Sequence, residues 1–324
     1  MNTETNICPP VLLITFNRPD YTIKMLKALK EAGVSKLFVF RDGPRPFNDE
    51  DVKATEEIER IILNKIDWPC DVSTNFMTNN LGCGYGPYSA ISWAFQYVDE
   101  LCILEDDCIP TPSFFRFCGK MLDLYRNNLK IRLISGRQHL ESNLELDNLD
   151  YIFTQYAITW GWATWKRSWK NFDLQLRGIE GFFHKGGFKK EFATIEESNF
   201  FNKRYKECKK DISLLFHIWD YHYGLFNRVN GSLGIAPAKN LIKYIGIDGT
   251  HPISKNSPLL INADEEILKG VTFNNGPSKI EINQNYDKAM AKITLDFDYL
   301  YNKYFARIII KPLRWIKYKI CNKI

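Results

Sequence analysis

Short apolar runs alternate with longer stretches of helical periodicity over the first 136 residues. PVLLITF (10 to 16) reads as a buried strand. TIKMLKALKEAG follows, with Ile23, Leu26 and Leu29 on one helical face and Gly33 as a C-terminal stop. KLFVF (36 to 40) leads through the breaker-rich RDGPRPFNDED into a helical stretch carrying Ile58, Ile61 and Ile62. DVSTNFM (71 to 77) leads through the glycine-rich NNLGCGYGP into YSAISWAFQYV, and LCIL (101 to 104) into PSFFRFCGKMLDLYR, which Pro112 opens at a first-turn position. IRLISG (131 to 136) closes the series. Strands and helices alternating at this spacing predict parallel βαβ units covered on both faces.

The second half reads differently, with aromatic clusters (TWGWATWKRSWKNF, FHIWDYHYGLF) and few clean strands. It is expected to be the other part of one catalytic unit, packed against the sheet edge. The expected organisation is a catalytic domain over 1 to 255, divided into a nucleotide-binding half (about 10 to 136) and an acceptor half (about 137 to 255). A C-terminal extension, 256 to 324, would follow.

Composition supports an ordinary folded chain: 324 residues, 45% hydrophobic and 25% charged, can bury a sizeable core. A formal net charge of +5 is too mild to indicate nucleic acid as a partner. MNTETNIC carries no basic leader region and VLLITF is too short to span a membrane, so a cytoplasmic setting is expected. The eight cysteines include no CxxC pair and read as small core residues.

Chemistry concentrates where strands end. A doubly wound sheet binds ligands at the carboxyl ends of its strands, and three polar groups fall there: Asn17-Arg18, Arg41-Asp42-Gly43 and Glu105-Asp106-Asp107. Three adjacent carboxylates repel one another. In isolation they suit either a solvated acidic turn or a hard cation such as Mn²⁺ or Mg²⁺, whose shell phosphate oxygens would complete. Their place after a buried strand favours the cation with a nucleoside diphosphate. Arg18 suits a phosphate and Asp42 a base or ribose, although each also reads as a turn or surface residue. LGCGYGP (81 to 87) lacks the spacing of a phosphate-binding loop and reads chiefly as a tight strand-to-helix connection.

Asp220, among Trp219, Tyr221 and the flanking histidines, is either a general base with a raised pKa or a helix cap. His251 reads as a metal ligand or a structural histidine. Trp160 and Trp162 suit either core packing or stacking on a sugar ring.

Taken together, PVLLITFNRPDYTIKMLKAL, VFRDGP, LEDDCIPTPSFFRF, TWGWATW, WDYHY and NLIKYIGIDGTH resemble nucleotide-sugar-dependent glycosyltransferases of the GT-A fold. The likeness is to a bacterial group distantly similar to animal N-acetylglucosaminyltransferase I, and it runs from about Pro10 to His251. The resemblance implies a Rossmann-like, mostly parallel sheet with flanking helices and an inverting, metal-dependent transfer. The donor would be a nucleotide-diphosphate sugar, UDP-linked in the family, and the acceptor a hydroxyl of a glycan or lipid-linked saccharide in surface polysaccharide synthesis.

It further implies Asp107 as direct Mn²⁺ ligand; His251 stays a second candidate on its own chemistry alone. Glu105 and Asp106 would lie on donor sugar and ribose, Arg18 near the diphosphate and Asp42 on the base. Asp220 would be the catalytic base, and Trp162, with Trp160 and Trp219, would line the sugar pocket. The histidine that contacts the base in the animal enzyme has no counterpart near Ser89 and Ala90.

The last 25 residues, Leu300 to Ile324, hold seven Lys or Arg and no acid, with Leu313, Ile316, Ile320 and Ile324 at helical spacing. Such a tail suits either an anionic membrane surface or packing on the domain. The membrane reading gives a peripheral protein at the inner face of the cytoplasmic membrane. Two other functions share parts of this pattern: a sugar-nucleotide pyrophosphorylase, which needs a glycine-rich loop where this chain has FNRPD, and a non-catalytic binding protein on a degenerate transferase fold.

Overall fold

The computed structural model describes residues 8–141, 148–156, 158–177, 179, 181–182, 192–210, 219–246 and 261–295. Apart from the short β5, where a turn is expected, the alternating half folds as its periodicity predicts: β1 (Val11–Thr15), α1 (Pro19–Glu31), β2 (Lys36–Arg41), α2 (Asp49–Lys65), β3 (Asp71–Phe76), α3 (Gly82–Ala94), β4 (Glu100–Glu105), β5 (Cys108–Pro110), α4 (Pro112–Leu124) and β6 (Ile131–Ser135). Gly33, at φ +70°, follows α1 in the left-handed conformation that an L side chain resists. The Asn48 side chain caps α2 by accepting the Asp51 N–H at 3.0 Å.

The rest comprises β7 (Tyr151–Thr154), β8 (Trp162–Trp165), α5 (Lys166–Trp169), α6 (Ile195–Lys210), α7 (Trp219–Val229), β9 (Leu233–Pro237), β10 (Ile242–Tyr244), α8 (Glu265–Leu268) and a helix α9 over 284–295. Eight strands form one sheet in the order β3-β2-β1-β4-β8-β6-β9-β7. Only β7 and β8 run against the others, so the sheet is mostly parallel and Rossmann-like.

Period-two alternation divides each central strand between two cores. Val11 and Leu13 join Leu37 and Val39 beneath α1, α2 and α4; Leu12 and Ile14 join Phe38 and Phe40 beneath α3 and α7. At about 25 cal/mol per Å² of apolar surface removed from water, burial on both faces is the main term holding the sheet.

Two expectations need correction. The glycine run 82–86 is not a loop before the helix but the first turns of α3 itself. Glycine is poorly helical, and the start is fixed from outside by Asp42, whose carboxylate accepts the Leu81 and Gly82 N–H groups at 2.8 and 2.9 Å.

Nor is the stretch after 256 a mere appendage. Leu268 and Phe273 lie in the first core, and Tyr286 and Met290 pack with Ile152 and Ala236 in a third cluster. Buried Asp287 accepts from the Thr154 hydroxyl at 2.5 Å and the Gln155 N–H at 3.0 Å. Residues 296–324, including the basic tail, lie outside the described residues.

Candidate functional site

The strand order puts β1 between β2 and β4, with the chain leaving β1 toward one side and reaching β4 on the other. Such a reversal opens a crevice at the carboxyl ends of the two strands. Arg18 stands at the end of β1, and Glu105, Asp106 and Asp107 at the end of β4. Arg18 Nη1 donates to Asp106 Oδ1 at 3.1 Å and to Asp107 Oδ2 at 3.0 Å. Asp106 is buried; Glu105, Asp107 and Arg18 are half-buried.

Among the described residues, the groups acting on Glu105 and Asp106 are mostly carboxylates. Burial, then the charges of Asp107, Asp220 and Asp106, push the Glu105 carboxyl well above the usual carboxylate range. Burial and Asp107 do the same to Asp106, against the pull of Arg18. Three carboxylates thus act on Glu105 and one of them on Asp106, with Arg18 the opposing charge on both. Among the described residues no three His, Cys, Asp or Glu side chains converge into a ready-made metal cage. The donor set is nevertheless all hard oxygen and surplus negative. It fits Mg²⁺ or Mn²⁺, which bind through one or two carboxylates and take remaining ligands from phosphate and water.

Asp107 is also strapped from above. β10 pairs antiparallel with β5, so Tyr244 lies opposite Cys108, and the chain beyond it passes over the acidic turn. The Ile245 N–H donates to the Asp107 carbonyl at 2.9 Å, and the Tyr21 hydroxyl donates to the Ile245 carbonyl at 3.0 Å. Gly246 sits so close to Asp107 Oδ2 that a Cβ there would penetrate its van der Waals surface.

Asp42 lies at the end of β2, on the rim as expected, but its acceptors are taken. Oδ1 accepts the Gly43 and Leu81 N–H groups at 2.9 and 2.8 Å, and Oδ2 accepts Gly82 N–H and Asn80 Nδ2 at 2.9 and 3.0 Å. A carboxylate has about four lone-pair sites, so holding a base would require Asp42 to release one of these donors. In this structure it clamps α3.

Asp220 occupies the first turn of α7, exposed, with Oδ1 accepting the Tyr221 N–H at 2.8 Å. Its charge acts on Glu105 and on Cys83, so α7, the start of α3 and the end of β4 meet at the crevice. Behind Asp220 the aromatics belong to the core. The Trp219 and Trp162 indoles stack at 5.8 Å, with Trp169 and Tyr223 closing the cluster. Trp162 is 1% and Trp219 5% exposed. The sugar-pocket expectation for these two is therefore corrected: their faces are spent on each other, and they form the wall that positions α7.

Half-buried Trp160 instead stacks on Tyr244 at 4.7 Å, beside the strap. His251 lies outside the described residues, five positions beyond Gly246.

Sequence reading missed Tyr21, Tyr244 and Gly246. They fall inside the motifs of the resemblance, but nothing local gives them a role, because the β5–β10 register brings together segments more than 130 residues apart. No protein-family model matches this chain, and no curated protein matches it.

Proposed function

We propose that this chain is a metal-dependent glycosyltransferase of the GT-A kind. It would move a sugar from a nucleotide-diphosphate donor to a hydroxyl of a glycan or lipid-linked acceptor. One observation carries the reading: Glu105, Asp106 and Asp107 stand together at the β1/β4 crevice with Arg18 bonded to two of them, a set of groups that would suit a divalent cation and a diphosphate. The resemblance of the motifs supports the same reading.

Each residue then has a task. Asp107 would hold the cation, with Arg18 beside it to meet the diphosphate. When bound, the cation would supply positive charge to offset that on the departing nucleoside diphosphate. Asp220 accepts the proton of the acceptor hydroxyl as its oxygen bonds to the anomeric carbon. The bond from that carbon to the phosphate oxygen breaks, its electron pair leaves with the diphosphate, and the anomeric configuration inverts.

The testing experiment is a thermal-shift panel of nucleoside diphosphates and their sugars, with and without Mn²⁺, on the wild-type chain and Asp107→Ala. Metal-dependent stabilisation by one nucleotide family, lost in Asp107→Ala, is expected. No stabilisation by any of them returns the chain to the class of non-catalytic binding proteins.

No helix among the described residues is long and apolar enough to cross a membrane. The proposal for the tail is that it seats the enzyme on an anionic bilayer, where each Lys or Arg contributes on the order of 1 kcal/mol. A chain ending at Arg307 should no longer co-sediment with phosphatidylserine vesicles.

A further inference from the structure

Glycine is used for its backbone freedom or for its lack of bulk. Gly246 is not among the residues whose φ is positive, so an alanine would meet no backbone strain there. It would meet no space either. An added Cβ would overlap Asp107 Oδ2. The same Cβ would lie 2.5 Å from the Tyr244 hydroxyl oxygen. A methyl group there would therefore push the Asp107 carboxylate, or the backbone packed on it, out of its present place.

The other neighbours of that carboxylate are already settled. Oδ2 holds Arg18 at 3.0 Å, and Oδ1 faces the Cys108 thiol at 3.4 Å. The strap that brings Gly246 to this place is fixed at three points. β10 is paired to β5, the Ile245 N–H is bonded to the Asp107 carbonyl, and the Ile245 carbonyl accepts from Tyr21. Tyr21 has a second contact: the Arg18 guanidinium lies over its ring, 5.3 Å from the centroid. One side chain in the first turn of α1 thus touches both the phosphate-facing arginine and the backbone above the metal-facing aspartate.

We propose that Gly246 lets the strap close on Asp107 without displacing the Oδ2 that would face a cation, and that Tyr21 is the positioning residue that holds the strap at that height. This inference rests on the reading of Asp107 as the cation ligand. It deepens that reading by giving roles to residues that the quoted motifs contain but leave without one. It also makes the strap part of the metal site: the place of the Asp107 carboxylate depends on a contact between α1 and the residue that follows β10, neither of which contributes a ligand of its own.

The test is Mn²⁺ binding, followed by the loss of the free-ion electron paramagnetic resonance signal, on the full chain, with Mn²⁺ alone and with Mn²⁺ plus uridine diphosphate. Groups that orient a metal ligand typically contribute about 10- to 100-fold in metal affinity. Gly246→Ala is expected to lose Mn²⁺ binding by at least that lower figure. Tyr21→Phe keeps the ring and removes only the hydroxyl. It is expected to weaken Mn²⁺ binding by about tenfold while its metal-free melting temperature stays at the wild-type value, a pattern that a purely structural hydroxyl would not give.

Wild-type Mn²⁺ affinity in both variants overturns the inference and leaves the cation reading standing. Absence of Mn²⁺ binding by the wild-type chain, with and without nucleotide, overturns both. Because Tyr21→Phe removes a single oxygen from a half-buried site, it keeps the test decisive if Gly246→Ala fails to fold.

Discussion

Arg18 Nη1 lies 3.0 Å from Asp107 Oδ2, a bond that joins the ends of two adjacent parallel strands across 89 residues of chain. On the proposed function the arginine would be both a partner for a diphosphate and a competitor for the oxygen that would hold the cation. The two roles have opposite signs when the side chain is removed. Arg18→Ala should weaken nucleoside diphosphate binding by about 10- to 100-fold, the loss of one charged hydrogen bond. It should leave the affinity for Mn²⁺ alone unchanged or tighter. Calorimetric titration of the two ligands separately checks both signs.

For Asp220 the expectation separates turnover from binding. Asp220→Asn keeps the shape and the acceptor oxygen for the Tyr221 N–H but removes proton affinity. General-base catalysis contributes about 10² to 10⁴-fold, so turnover should fall by that factor while donor affinity holds. Single-turnover kinetics beside donor titration measures it. Activity near the wild-type level would remove Asp220 from the role of base.

The far end of the same helix supplies a stability prediction. Arg228 Nη2 lies 3.2 Å from Glu197 Oε1, with both side chains at most 3% exposed. Glu197 also accepts the Tyr156 hydroxyl at 2.5 Å and the Ala193 N–H at 2.8 Å. Removing one member of such a pair strands a buried charge and costs about 3–5 kcal/mol. Glu197→Ala should lower the unfolding free energy by that amount in urea titration. The double variant Glu197→Ala with Arg228→Met should lose less than the sum of the singles.

Acid sensitivity follows from His222. It is fully buried, with Nδ1 2.8 Å from the Leu174 carbonyl oxygen, and burial pushes its pKa down to about 4. The folded chain therefore holds the ring neutral, while the unfolded chain binds a proton below about pH 6.5. The stabilisation is complete above that pH and is lost as pH falls toward 4. Between pH 7 and pH 5 the share of His222 is about 2 kcal/mol, and His222→Gln should flatten the acid limb of stability by that amount.

How much of this could be read from the chain differs between its halves. The first four strands and their helices were legible because each is fixed by local period, Leu26 and Leu29 on one helix face or Leu12 and Leu13 on opposite sheet faces. The acidic turn was legible because it ends a buried strand. The start of α3 was not, since the group that fixes it, Asp42, lies 40 residues from Gly82. The tryptophans of TWGWATW carry no sign of which face each takes. Trp162 proves buried and Trp160 half-buried only because β8 is inserted between β4 and β6. The packing of Leu268, Phe273 and Tyr286 escaped notice because that stretch has no strong period of its own.

Trp219 and Asp220 share a peptide bond, and Trp219 leans its indole on Trp162 of the sheet. The carboxylate proposed to take the proton is thus mounted on the hydrophobic interior, with no loop between them to absorb a shift. Trimming a ring in that stack would move the lever that carries Asp220, so damage deep in the interior should surface as a kinetic lesion before it surfaces as unfolding. The rate of transfer then becomes a gauge of how well the interior is set.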